Sequence, residues 1–243
     1  MAAALLVLAA CKPAPKPARP AAAGPETRAT VITIETVLQP GNRALTHTIA
    51  IAGDHARSGD ELDRWRLFDL KKNEVTFVDD VAKTYRTVPL AALLATRRAA
   101  DAQPLAAGYP RAQVSPTKNV RTLQGVPATQ LVVRLGGYQR QLWIGAHPLI
   151  PQNLFALMEA GRPPTTNVEA VMRAVDEAFV NVHGFPLAEH AELPYGKQRM
   201  TVDKSVVKIE QRNVPAGWLN VRPDYKDVTP RPTAPAARRP PAS

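Results

Sequence analysis

From Thr30 to Leu38 the chain reads TVITIETVL, an alternation of β-branched and polar residues that marks a strand with one buried face. A QPGN turn follows, and LTHTIAIA, Leu45 to Ala52, alternates again, so the two segments predict a hairpin. RWRLFDL, a polar break at Lys71-Lys72-Asn73, and EVTFVDD predict a second hairpin, with KTYRTV as the next strand. The period then changes. In PLAALLATRRAA, Pro89 to Ala100, proline suits a helix start and Leu90, Leu93 and Leu94 share one face. Alternation returns in AQVSPTKNVRTL, ATQLVVRL and YQRQLWIG. A second helix is predicted after Thr166: Thr166-Asn167-Val168-Glu169 has the form of a capping box, Val168, Val171, Met172, Val175 and Phe179 make one apolar stripe, and Gly184 and Pro186 mark the stop. FPLAEHAEL and the long RMTVDKSVVKIEQR close the pattern.

About nine strands joined mostly by short loops, with two inserted helices, predict an α+β domain built on a curved antiparallel sheet. The patterned region runs from Ala29 to Val228, about 200 residues, enough for one domain with a sizeable core. On either side the pattern stops. Residues 12–28 hold five prolines and no apolar periodicity, which predicts an extended tether of polyproline type. Residues 229–243 hold five prolines and three arginines and are read as a tail outside the fold. Of the formal charge of +10, three lie in the tether and three in the tail, leaving four on the domain. Aromatic residues are 5% of the chain, so a nucleic-acid surface of clustered cations and stacking rings is not expected. The basic ends suit anionic lipid or another envelope polyanion, or serve only as solvated, disorder-prone segments.

The single cysteine, Cys11, follows a short run of small apolar residues, too few to span a membrane but of the length of a secretory signal's apolar region. Leu8-Ala9-Ala10-Cys11 resembles the lipobox of bacterial lipoproteins, which implies acylation at Cys11 and attachment to a membrane of the cell envelope. With no second cysteine, an exported domain is held together by packing alone.

The segments LFDLKKNEVTFVDDVAKTY, LQGVPATQLVV, QLWIGAHPLIPQNLF and WLNVRPDYK resemble those of the lipoprotein-carrier superfamily, LolA/LolB-like, with Asp224 standing where a glycine is common. The resemblance implies a half-open β-barrel covered by helices and enclosing a hydrophobic cavity. The chain then divides into a lipoprotein signal at 1–11, the tether, a LolA-like domain at 29–228 and the basic tail. It also implies a position anchored in the outer membrane and facing the periplasm.

Nothing in the sequence forms a catalytic constellation. His47, His55, His147, His183 and His190 are scattered without metal-ligand spacing, and G-x-S-x-G, P-loop and dinucleotide-binding motifs are lacking, so neither an enzyme nor a cofactor is expected. Asp60, Glu61, Asp63, Asp79 and Asp80 sit beside turns and are read as solvated loop charge rather than acid–base or calcium-binding groups. Trp65, Phe77, Trp143 and Phe155, with Val175 and Phe179 of the second helix, suit the wall of an apolar ligand cavity; the aromatics suit a closed core equally. Two functions are therefore expected to compete: an anchored lipoprotein that binds or shields an acyl chain or lipid, and a non-enzymatic interaction or sensor scaffold with a filled core, docking an envelope protein.

Overall fold

The computed structural model describes residues 25–59, 63–101, 113–135, 137–161, 182–195 and 198–230. The strands are β1 Glu26–Gln39, β2 Arg43–Ala52, β3 His55–Ser58, β4 Arg64–Asp69, β5 Glu74–Asp79, β6 Thr84–Pro89, β7 Gln113–Leu123, β8 Val126–Leu135, β9 Tyr138–Gly145, β10 Phe185–Tyr195, β11 Gln198–Pro215 and β12 Lys226–Asp227. The helices among the described residues are α1 Leu90–Asp101 and α2 Leu154–Ala160, with a 3-10 turn at Ala216–Leu219. All twelve strands lie in one sheet, in the order β12-β6-β5-β4-β3-β2-β1-β11-β10-β9-β8-β7. Two meanders, β1–β6 and β7–β11, thus meet where β1 pairs antiparallel with β11, from Glu26 opposite Pro215 to Gln39 opposite Thr201.

The α+β expectation is overturned. Among the described residues the protein is nearly all β, with helices of only 12 and 7 residues, and these do not make a layer covering the sheet. The half-open barrel covered by helices fails with it, because the open sheet, which ends at β7 and β12, carries no covering layer of helices among the described residues. The helix expected after Thr166 lies outside the described residues, as do Cys11, residues 12–24 of the tether, Asp60, Glu61 and the tail from residue 231 onward. The last residues of the expected tether, Glu26 to Arg28, are instead the start of β1, paired with β11. The short loops did predict antiparallel neighbours correctly; what period alone did not supply was the covering of each face.

That covering differs between the faces. On one, Ile32, Ile34, Ile49, Ile51, Ala56, Phe68 and Val75 pack under α2 with Leu142, Leu154 and Leu157. On the other, Ala29, Val31 and Ala50 pack against Val214 and Leu219, and Trp65 and Val78 pack against Tyr225. The chain after β11 therefore straps the back of the first meander. Asp80 Oδ1 anchors the strap, accepting from the Trp65 indole at 2.9 Å and the Tyr225 hydroxyl at 2.8 Å, so this carboxylate is a part-buried tie and not loop charge. The Arg57 guanidinium stacks 4.0 Å from the Trp65 ring and 5.9 Å from that of Trp218, and donates to the Trp218 carbonyl. The strap ends as β12, which pairs parallel with β6. Gly184, just before β10, meets a close approach: at φ +118° a Cβ there would lie 2.9 Å from the Gly145 carbonyl oxygen, so a side chain would force the strands apart.

The two hairpins β4–β5 and β5–β6 use one turn twice. Asp69 Oδ1 accepts the Lys71 and Lys72 amides at 3.1 and 2.8 Å, and Asp79 Oδ1 accepts those of Val81 and Ala82 at 3.1 and 2.8 Å. Each turn finishes on a left-handed residue, Asn73 at φ 55° and Lys83 at φ 50°. Burial works upward on the Asp69 carboxyl, but the Lys72 amide and the charges of Lys72 and His55 outweigh it and hold the group below its ordinary value. The Ala82 amide, then Arg64, does the same for Asp79.

A depressed folded-state pKa means a contribution that is complete above the unfolded value, about 4, and lost as the pH falls through the folded one. The Asp69→Asn/Asp79→Asn variant keeps the acceptor oxygens but not the charge. Its urea midpoint should fall less steeply than wild type as the pH drops below about 4; parallel profiles would place the acid sensitivity elsewhere.

Candidate ligand-binding site

α2 is short and almost wholly buried: Leu154, Phe155, Ala156, Leu157, Glu159 and Ala160 are all covered. So short a helix is positioned by contacts at its two ends, and its last carbonyls need donors from elsewhere. At the start, Asn153 Nδ2 donates to the Leu70 carbonyl at 2.8 Å and to Asn73 Oδ1 at 2.9 Å. At the end, Arg66 Nη1 reaches from β4 to donate to the Met158 and Gly161 carbonyls, each at 3.2 Å, and burial pushes its guanidinium below the ordinary value. Phe155 packs edge-on against Phe185 of β10, with ring centres 6.5 Å apart.

Within this apolar contact lies a charged cluster. Arg140 of β9, its side chain 2% exposed, donates from Nη1 to Glu159 Oε2 at 3.2 Å and from Nη2 to Glu189 Oε2 at 2.8 Å. Lys204 of β11 stands 3.3 Å from the other Glu189 oxygen. Two cations and two anions balance, and the Glu159 contact pins α2 to the second meander. A cavity of about 70 Å³ adjoins the cluster, also lined by His47, Ser205 and Phe155. That is room for a few waters at about 30 Å³ each, whereas drug-sized ligands occupy about 300–1,000 Å³. Beneath α2 the described core is therefore filled.

The larger space lies beside α2. A groove of about 650 Å³ runs between α1 and α2 over the β4–β5 turn. Leu90, Ala91, Leu94, Ala156 and Val182 give it an apolar lining, and Lys72, Asn73, Gln152 and His183 give it a polar rim. One turn residue sets its shape: the Asn73 carbonyl accepts the Leu90 amide at 2.8 Å, and the Asn73 side chain accepts from Asn153, so both helices start from the same point. A third cavity, about 450 Å³, lies between the ends of β1 and β2 and residues 148–151, with Arg28 and Gln211 at its edge.

The expected wall residues do not come together. Phe155 borders the small cavity. Phe77 is half-buried at the edge of the main core, with the Arg86 guanidinium 4.7 Å from its ring centre. Trp143 is also half-buried, lies 4.0 Å from the Arg121 guanidinium, whose pKa burial lowers, and borders none of these three cavities. Trp65 faces the opposite side, under the strap. Val175 and Phe179 lie outside the described residues. The choice by residue type missed Leu90, Leu94 and Ala156 of the groove and the Arg140–Glu159–Glu189 cluster. For the cluster the signal was present, since Arg140 sits in YQRQLWIG at the same parity as the buried Tyr138 and Leu142.

No protein-family model matches the chain, and no curated protein matches it. Among solved structures, PNGF-II in its C2 and P21 crystal forms aligns over 84% of this chain at 9% identity, with TM-scores of 0.46 and 0.42. The chain spans 31% and 32% of those proteins' lengths. The LolA superfamily protein NE2245 from Nitrosomonas europaea aligns over 80% of this chain and 90% of its own at 11% identity, with a TM-score of 0.26. A LolA superfamily protein is thus a weak structural neighbour, and neither an activity nor a ligand passes to this chain from likenesses at this level.

Replacing Arg140 by Leu removes the buried cation between Glu159 and Glu189 and should cost about 3–5 kcal/mol in urea unfolding. Lys204→Ala, at a side chain 38% exposed, should cost under about 1 kcal/mol. Equal costs would mean that Arg140 does not hold the cluster.

Proposed function

We propose that this protein is a non-catalytic, membrane-anchored envelope protein that holds a hydrophobic ligand, and that the ligand lies in the groove between α1 and α2. The observation that supports this reading is the groove itself: its volume of about 650 Å³ falls in the range of ligand sites, about 300–1,000 Å³, and its apolar lining with a few polar groups at the rim has their composition. The site is displaced from the sheet's face, where the closed core under α2 leaves no room. That same closed core favours a second reading, an interaction scaffold with a working surface and no ligand.

A fluorescent fatty-acid probe separates the two. It should bind with micromolar affinity or better, about −8 kcal/mol, and Ala91→Trp and Leu94→Trp, which add bulk at the groove, should weaken binding at least tenfold while leaving the circular-dichroism spectrum unchanged. No binding, together with no lipid copurifying from membranes, would favour the scaffold.

Anchoring is proposed at Cys11, on the lipobox-like Leu8–Cys11 and the Pro-rich tether that follows it. Cys11→Ser should move the protein from the membrane fraction to the soluble fraction. Unacylated wild-type protein that retains Met1 and is already soluble would defeat this.

A further inference from the structure

We infer that the groove selects an acyl chain with an anionic head, the chain lying on Leu90, Leu94 and Val182 and the head meeting Lys72. This rests on the proposed reading of the groove as the ligand site. The charge on the described lining of the groove is one-sided. Among the described residues that line it, Lys72 carries the only formal charge at neutral pH, His183 is the only other titratable group, and none is acidic.

The neighbouring carboxylates do not cancel this. Asp69 and Glu74 pair across the hairpin, and their strand parity is that of Trp65 and Leu67 in β4 and of Thr76 and Val78 in β5, the face under the strap, whereas the groove lies on the α2 side. Lys72 Nζ does stand 3.5 Å from Asp69 Oδ2, but the Lys72 side chain is 68% exposed, so the pair is weak and solvent-screened. An ammonium has three donors, and one weak contact leaves it able to meet an incoming anion. Asp69 Oδ1 is meanwhile committed to the turn amides that hold the Lys72 backbone in place. The cation therefore stands on a fixed turn at the mouth of an apolar trough, with the amide of Gln152 in the same rim as a neutral donor. Carboxylate and phosphate heads share the chemistry this geometry reads.

Calorimetric titration of the full chain with dodecanoate, dodecyl phosphate and dodecanol tests the inference, since the three share one chain length and differ in the head. Dodecanoate, dodecyl phosphate or both should bind at least tenfold more tightly than dodecanol, the tighter of the two identifying the head as fatty acid or phosphate. Lys72→Glu should erase that advantage and Lys72→Arg should keep it. Equal affinity for dodecanol and both anions, or an anion preference that survives Lys72→Glu, would overturn the selectivity while leaving the groove as a ligand site. If none of the three binds, both the selectivity and the reading beneath it fail.

Discussion

The pairing of β1 with β11 is the constraint on which the rest of the molecule depends. Every other antiparallel pair in the sheet joins strands that are consecutive in the chain, and all of these but β9 with β10, which residues 146–184 separate, are joined by short connections. Joining the two meanders requires a fourteen-residue strand near one end of the described chain to find its partner near the other. Non-local pairing of this kind spends loop entropy before any contact compensates for it. α2 has no independent seat: Arg66, Leu70 and Asn73 of the first meander hold its ends, and Arg140 of the second meander holds Glu159. The groove lies along α2, so it too exists only once the two meanders are joined.

Polar groups in this protein act mainly at joints. Asp80 ties the strap, Asn73 ties the starts of two helices, Arg66 closes the end of one, and Arg140 gathers two carboxylates across an otherwise apolar contact. Buried ion pairs add little net stability over apolar packing of the same shape, yet removing one partner is costly. Their effect here is to fix where α2 sits. An apolar stripe alone would let so short a helix slide or rotate on the sheet, and the groove beside it would lose its shape.

The sequence made the strands legible because each alternates over six or more residues, and α1 legible because the period changes at Pro89. β3 was not, since HARS has four residues and no alternation, and β12 was not, since two residues carry no period. α2, LFALMEA, was hidden because a helix buried nearly all round shows no amphipathic stripe. For the site, the aromatic residues misled: Trp65 and Phe77 lie on opposite faces, a distinction that parity within each strand carries but that residue type does not. What covers each face is a property of the assembled sheet, and no local pattern encodes it.

An open sheet has two rows of unpaired peptide groups, and these are where one molecule can zip onto the next and begin an aggregate. The parallel pairing of β12 with β6 matters here beyond its two residues. The amides of Lys226 and Val228 bond the carbonyls of Lys83 and Tyr85, and the Thr87 amide donates to the Thr229 hydroxyl, so the chain occupies one of its own edges. The other edge, β7, is blunted by its composition: Pro116 has no amide hydrogen to offer, and Lys118 and Arg121 bring like charges to an identical strand approaching alongside. A sheet that never closes on itself is thereby kept from closing on its neighbour.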